Sequence, residues 1–188
     1  MIKLYFLLFM VLLPVSINAE ETKSCTAFPG FVQKACHRLK QVWQEGDTEL
    51  FFSGYAWHNR YKYSADRIKT YNEQAWGGGL GKGLIDEDGD WHGLVAIGFL
   101  DSHKNFEPAA GYAFLKQASM TRDMQVGAGY TVLLTMRPDI LNGYPFPGAL
   151  PLLSWRYKKV ALFATYIPGA SGAGNVLFIF GKWTFDKL

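Results

Sequence analysis

Two periodicities divide the chain. Between Phe31 and Glu45 the apolar residues recur at helical spacing, with Phe31, Ala35, Leu39 and Val42-Trp43 on one face and Lys34, His37, Arg38 and Lys40 around the rest, until Gly46 ends the run. A basic amphipathic helix with a tryptophan suits a membrane interface, and it equally suits an ordinary surface helix packed on a core. From Leu50 onward the period becomes two. Val126, Ala128, Tyr130, Val132 and Leu134 alternate with Gln125, Gly127, Gly129, Thr131 and Leu133. Near the end Leu177, Ile179, Trp183 and Phe185 alternate with Val176, Phe178, Phe180 and Lys182, and Trp91, Val95, Ile97 and Phe99 alternate with His92, Leu94, Ala96 and Gly98. One face is large and apolar, the other small or mixed.

That alternation predicts an all-β fold. A soluble sandwich turns the apolar face inward, whereas a transmembrane barrel turns it outward along strands of about ten residues. The stretch 50–188 holds about eight strands with their loops, too few for a porin. Eight strands leave an interior that side chains fill or that holds one small ligand. The expected architecture is therefore an eight-stranded antiparallel transmembrane β-barrel over 49–188, behind an N-terminal segment, 20–48, that carries the amphipathic helix. Trp57, Trp76, Trp91, Tyr112, Tyr130, Trp155, Tyr166 and Trp183 lie near segment ends, where they would form the aromatic girdles at the two interfaces.

One strand is unusual. Gly77, Gly79, Gly81 and Gly83 share a face opposite Trp76, Leu80 and Leu84, and glycine within a strand marks a close approach. Gly111, Ala113, Gly127 and Gly129 also fall on the small face, beside the apolar Leu115, Leu133 and Phe178. Together they predict an apolar slot inside the barrel, about one hydrocarbon chain wide. Lys82, on the outward face, is expected near one interface, because lysine at mid-bilayer costs about 2–4 kcal/mol.

Composition agrees with this picture. The chain is 49% hydrophobic, 16% aromatic and 19% charged, which excludes disorder. Its formal charge of +3 gives no argument for nucleic acid. Met1 to Ala19 reads as a secretory signal peptide, with Lys3 at the positive end, an apolar core from Leu4 to Val15 and a small-residue end at Asn18-Ala19. In an exported chain Cys25 and Cys36 can oxidise. On a single helix they would stand about 16 Å apart, too far to bridge, so a disulfide and free thiols both stay open.

Several motifs fail on inspection. The Gly-Lys pair in the glycine strand lacks the spacing of a phosphate loop. Asp86-Glu87-Asp88-Gly89-Asp90 resembles a calcium loop, but Trp91 stands where that loop needs glycine, so a hairpin turn on Asp88-Gly89 is expected. His37, His58, His92 and His103 have no metal-ligand spacing, and no metal or soluble cofactor is implied. What remains is His58 at a strand and Asp101-Ser102 at the end of the Trp91 to Leu100 strand. A histidine base, a carboxylate and a hydroxyl can support acyl transfer. By themselves they carry little, since a lone strand histidine is more often a hydrogen-bonded interior residue and Asp-Ser more often a turn.

Longer motifs carry more. Trp57-His58-x-Arg60, Tyr71-Asn72-Glu73, Trp76-Gly77-Gly78-Gly79-x-Gly81 and Gly89-x-Trp91-His92-Gly93-Leu94 are followed by Asp101-Ser102 and Glu107-Pro108-x-Ala110-Gly111-Tyr112. Leu150-Pro151-Leu152, Thr165-Tyr166-Ile167-Pro168-Gly169 and Gly174-Asn175-Val176 complete the series. In this order and spacing, from about Trp43 to Phe185, the chain resembles the PagP family of outer-membrane lipid A palmitoyltransferases. The resemblance implies an eight-stranded barrel with an interior hydrocarbon ruler, and His58, Asp101 and Ser102 as the required polar residues on the extracellular side. It implies lateral access beside Pro151 and Pro168. Ser53 and Ala75 stand where the family can have proline, so proline does not mark the second lateral opening.

The expected protein is thus a monomeric acyltransferase of the bacterial outer membrane. By resemblance it moves a palmitoyl or slightly shorter chain from the sn-1 position of a glycerophospholipid donor to a hydroxyl of lipid A, giving resistance to cationic antimicrobial peptides. His58 would be the general base, Asp101 would orient or polarise it, and Ser102 would be nucleophile or oxyanion donor. The slot would be lined by Gly79, Gly81, Gly111, Ala113 and Leu133, with Ala113 helping to set chain length. The alternative is a non-enzymatic small barrel for adhesion or lipid binding, whose interior would be polar and fully plugged.

Overall fold

The structure, a computed structural model, describes residues 23–26, 28–169 and 174–185; the expected signal peptide, Met1 to Ala19, lies outside them. The chain divides into two units, the first ending at His37 and the second running from Arg38 to Leu188. In the first, helix α1 (Lys23–Thr26) is joined to helix α2 (Gly30–Glu45) by a disulfide between Cys25 and Cys36, whose Cα atoms are 5.7 Å apart. The two cysteines sit on different helices, which removes the distance objection that a single helix would raise.

In the second unit α2 continues to Glu45, with Val42 buried and Leu39 and Trp43 exposed. Then eight antiparallel strands follow: β1 (Asp47–His58), β2 (Gly77–Ile85), β3 (Trp91–Leu100), β4 (Phe106–Ser119), β5 (Met124–Thr135), β6 (Phe146–Tyr157), β7 (Val160–Ile167) and β8 (Val176–Thr184). Each pairs with the next, and β1 pairs with β8, so the sheet is a closed barrel. Closure leaves no edge strand, although not every ladder runs the full length of its strands. The β2–β3 turn is built on Asp86, whose Oδ1 accepts from the backbone N–H groups of Asp88 and Asp90 at 3.0 and 2.9 Å, with Gly89 at φ +85°. A glycine is needed there because L side chains resist positive φ.

Side chains alternate in and out along the strands, with one break on β1. Phe52, Leu80, Val132, Leu134, Leu153 and Leu162 are among the large apolar residues exposed on the outer face. On β3 the expectation reverses. Trp91, Val95, Ile97 and Phe99 point inward, and Trp91 is 2% exposed, so it belongs to the interior and not to a girdle. The glycine face of neighbouring β2 makes room for these larger groups. Trp57, Trp76, Trp155 and Trp183 keep outward positions. Lys82 lies near the end of the barrel where β1 begins, its Nζ donating to the Gly46 carbonyl at 3.2 Å.

β1 carries an irregularity of consequence. Its register against β8 shifts by one residue between Ser53 and Tyr55, a bulge at Gly54. Before it the odd positions Glu49, Phe51 and Ser53 are buried, and after it the even positions Ala56 and His58 are. A bulge inserts one residue and so reverses the alternation. His58 faces inward because of Gly54.

Below the middle of the barrel the interior holds a buried ion pair. Lys182 pairs with Glu49, their side chains 3% and 2% exposed. The Trp91 indole N–H donates to Glu49 Oε1 at 3.3 Å, and Lys182 Nζ stands 4.5 Å from the centre of the Trp91 ring. Phe51, Leu115, Leu152 and Phe163 pack around Trp91 in one cluster. Deleting one partner of such a pair strands a buried charge, at about 3–5 kcal/mol. Lys182→Met is therefore expected to lower the urea stability of the refolded barrel by about that amount, and Glu49→Gln combined with Lys182→Met to recover much of it. A single variant as stable as wild type would show that the pair does not anchor this layer.

Candidate active site

Two cavities occupy the other half of the barrel. The larger, about 410 Å³, is an apolar slot within the range of about 300–1,000 Å³ usual for ligand sites. Its walls include Val95, Ile97, Gly111, Leu133, Leu150 and Phe180, and it reaches down to Trp91, Ala113, Leu152 and Phe163. From Glu107 to Ala113 the β4 path covers six residue steps, about 20 Å along the strand and about 15 Å along a barrel axis tilted by 35–45°. One leaflet of a bilayer's hydrocarbon core is about 15 Å thick. The slot therefore has the depth of a single acyl chain.

Gly111, Ala113 and Leu133 line this slot, whereas Gly79 and Gly81 do not. A Cβ at Gly81 would lie 2.8 Å from the Phe51 ring, and one at Gly79 would run into the Ala96 carbonyl of β3. The β2 glycines thus let the Phe51 ring and the β3 backbone come close, which is a different use of the missing side chains from an open wall.

The smaller cavity, about 80 Å³, is lined by His58, Tyr63, Tyr71, Asp101, Ser102 and His103, among others. It meets the slot at Phe99, Glu107, Arg137, Asp139, Ile167 and Phe178, which line both. An ester joined to a chain in the slot would emerge at this junction, beside the polar groups.

Those groups are held from two directions. After β1 the chain turns through Asn59 and a short helix α3 (Ala65–Lys69), capped by the Ser64 hydroxyl accepting from the Arg67 N–H at 3.4 Å, and returns along Tyr71 to Gln74. After β3 the chain turns at Asp101, whose Oδ1 accepts from the backbone N–H groups of His103 and Asn105 at 2.8 and 2.7 Å. The Asn72 N–H donates to the Ser102 carbonyl at 2.8 Å and ties the two segments together. His58, 2% exposed, brings Nε2 within 2.8 Å of Ser102 Oγ. Tyr71 stacks on its ring at a centroid distance of 4.5 Å, and Tyr63 meets it edge-on at 5.9 Å.

The structure thus brings His58 and Ser102 into contact and places Asp101 in the turn that presents Ser102. The other imidazole nitrogen, Nδ1, lies 3.2 Å from Glu73 Oε1, which also accepts from the His58 backbone N–H at 3.0 Å. Arg60 grips the same carboxylate with two N–H groups at 2.7 and 2.6 Å. Burial pushes the Glu73 carboxyl up, but the Arg60 and His58 hydrogen bonds outweigh that and hold it at about 2. Glu73 and Arg60 both fall within the sequence motifs, yet nothing in their spacing assigns them to this histidine.

The seams of the barrel differ around the slot. β6 pairs with β5 along its whole length, from Phe146 to Tyr157, but with β7 only from Leu152 onward. Pro151 stands where the β6–β7 ladder stops, its carbonyl accepting from Thr165 Oγ1 at 2.7 Å. Proline cannot donate to a ladder. Pro168 lies beyond the end of β7 on the same seam and lines the slot. At the β1–β2 seam the ladder ends at Ser53 and Gly77. There Ser53 Oγ donates to the Ala75 carbonyl at 2.5 Å and the Ala56 N–H to the Glu73 carbonyl at 2.9 Å.

Residues 38–182 match the family described as antimicrobial peptide resistance and lipid A acylation protein PagP. A protein of Legionella longbeachae named lipid A acyltransferase PagP is 56% identical over 173 residues, 91% of this chain and 75% of that one. One of the same name from Bordetella pertussis is 53% identical over 174 residues, 93% of this chain and 94% of that one. A third, from Legionella pneumophila, is 56% identical over 168 residues, 89% and 90% of the two chains. The match takes in the helix end, seven strands, most of the eighth and the segments that carry His58, Glu73 and Ser102, and the chain belongs to the PagP family of lipid A acyltransferases.

Proposed function

We propose that this protein sits in the bacterial outer membrane and moves a palmitoyl or slightly shorter chain from the sn-1 position of a glycerophospholipid to a hydroxyl of lipid A. The carrying observation is the 2.8 Å contact between His58 Nε2 and Ser102 Oγ at the mouth of an apolar slot. A barrel face rich in large exposed apolar residues supports the membrane setting. The short β6–β7 ladder beside Pro151, with slot residues on both strands, supports entry of the donor from the side.

In this reading the donor's chain fills the slot and its ester lies at the junction of the two cavities. Ser102 Oγ attacks the ester carbonyl carbon while His58 Nε2 takes the serine proton. The tetrahedral centre collapses, the bond to the sn-1 oxygen breaks, and His58 gives the proton to that oxygen, releasing a lysophospholipid. The lipid A hydroxyl then attacks the acyl-serine, its proton passing through His58 to Ser102 Oγ, and leaves as the new ester. If Ser102 only donates to the oxyanion, the lipid A hydroxyl attacks the donor ester directly. The 2.8 Å contact supports the serine route, since the Ser102 oxygen already lies within hydrogen-bond reach of the base. A lipid A with one more acyl chain packs a less permeable leaflet, which accounts for resistance to cationic peptides.

Mass spectrometry of lipid A from cells with and without the protein tests the activity, with a palmitate-sized gain of mass expected. His58→Ala and Ser102→Ala should each lower transfer by about 100-fold or more, and Asp101→Ala should lower it through the loss of the turn that presents Ser102, all three still folding in detergent. With donor and no acceptor, wild type should gain the mass of one acyl group and Ser102→Ala should not. Wild-type transfer by His58→Ala would reject the general base.

Chain length is open to a separate test. Ala113 is 3% exposed, at the deep end of the slot, paired with Gly93 on β3, over which the Trp91 indole lies. Its methyl shortens the space above that ring. Ala113→Gly should shift a donor series of defined length toward longer chains by about one methylene, with a preference of about 1–3 kcal/mol. An unchanged preference, or a shift to shorter chains, would remove Ala113 from the floor.

A further inference from the structure

His58 is useful as a base only if its proton sits on the right nitrogen. In a neutral imidazole one nitrogen donates and the other accepts, and the partner of the first decides which. Nε2 faces the Ser102 hydroxyl at 2.8 Å and must be the acceptor to take a proton from it. The proton then belongs on Nδ1, which needs an acceptor.

Among the described residues four carboxylates stand around this histidine or its cavity, and two of them, Glu107 and Asp139, are turned to Arg137. Asp101 spends its oxygens on the turn, accepting from the His103 and Asn105 backbone N–H groups and from the Asn105 side-chain amide at 3.3 Å. Glu73 Oε1 lies 3.2 Å from Nδ1 and also holds the His58 backbone N–H at 3.0 Å, so one oxygen fixes both the ring and the strand end that carries it. Glu73 is fixed in its turn by the fork of Arg60, a planar two-point grip that leaves the carboxylate little freedom. Tyr71 and Tyr63 close the remaining faces of the imidazole. The groups around His58 are therefore Glu73, Arg60, Tyr63 and Tyr71 from the segment after β1, Ser102, Asp101 and His103 from the turn after β3, and Glu107, Arg137 and Asp139 across the smaller cavity.

We propose that Glu73, not Asp101, is the residue that positions His58 for catalysis, holding the proton on Nδ1 so that Nε2 is free to accept, with Arg60 holding Glu73. This rests on His58 acting as the base. The pairing with Arg60 also keeps Glu73 ionised, at about 2, across any working range, so its hold on the ring does not lapse on mild acidification.

The test combines kinetics with the nitrogen spectrum of the histidine ring, on the full mature chain refolded in detergent, with phospholipid donor and lipid A acceptor. Wild type should show His58 as the Nδ1–H form. Glu73→Gln should lower kcat by about 100-fold with KM little changed, and should convert the ring to a mixture of forms or to the Nε2–H form. Arg60→Gln should cause a smaller loss, about 10-fold, in the same direction. Asp101→Asn should leave the His58 ring spectrum unchanged even where activity falls. A wild-type ring already in the Nε2–H form would overturn the proposal whether or not any variant folds. So would Glu73→Gln with wild-type kcat, or Asp101→Asn with an altered ring. If His58→Ala stays active, the base assignment itself fails. If His58→Ala is inactive while Glu73→Gln is not, only the role given to Glu73 fails.

Discussion

A ladder of eight strands closed on itself encloses a space about one side chain wide, and every other feature of this barrel follows from how that space is filled. With so narrow a bore, the size of each inward residue decides whether its level is solid or hollow. Around Trp91 the inward residues are large, and Phe51, Leu152 and Phe163 meet there in a packed layer above the Glu49–Lys182 pair. Further along, small residues such as Ala109, Gly111 and Gly148 line the interior, and the slot opens beside them. No separate binding domain is required. A run of small residues on the inner face of a sheet that cannot collapse is enough.

Where the ladder is regular it closes the barrel, and where it breaks it re-aims side chains or leaves a gap beside the slot. The bulge at Gly54 reverses the alternation of β1, so that His58 faces the cavity while Trp57, which an unbroken strand would have turned inward, faces out. The β6–β7 ladder stops at Leu152 and Thr165, beside the apolar slot. A ladder gap of this kind is tolerable near Pro151 because that residue brings no N–H to leave unpaired and its carbonyl finds the Thr165 hydroxyl.

Much of this was legible in the sequence. Period-two alternation gave the strands, the length gave their number, and Asp88-Gly89 gave a turn. Alternation says which residues share a face but not which face is inside, and on β3 the rule that large residues face out failed because β2 offers glycines on the inner side of the neighbouring strand. Trp91 was misplaced for that reason. The same glycines could not be told apart from a slot wall, because an absent side chain can admit a ligand, a neighbouring ring or another backbone, and here Gly79 and Gly81 admit the latter two. The helical spacing begins only at Phe31, so nothing in it shows the separate helix α1 that lets Cys25 reach Cys36. Glu73 escaped for another reason: it lies in an irregular segment, and only the folded path brings it back to the end of β1.

Two of the ion pairs stand toward opposite ends of the barrel, and they differ in setting. Glu49 and Lys182 are out of contact with water, so their attraction is weakly screened and fixes the indole of Trp91 beneath the slot. Arg60 and Glu73 lie near the rim, where screening is stronger, and the two-point geometry rather than the charge alone holds the carboxylate against His58. In the proposed reading His58 is the base and the donor's chain fills the slot. The floor and the base are then pinned to the same rigid sheet, and the distance between them cannot adjust to the ligand. A chain one methylene too long would lift its ester away from His58, and one too short would leave it below the junction or leave a void at the floor. Selection by length would need no contact that recognises the end of the chain, because a stiff barrel turns a difference in length into a displacement at the reacting atom.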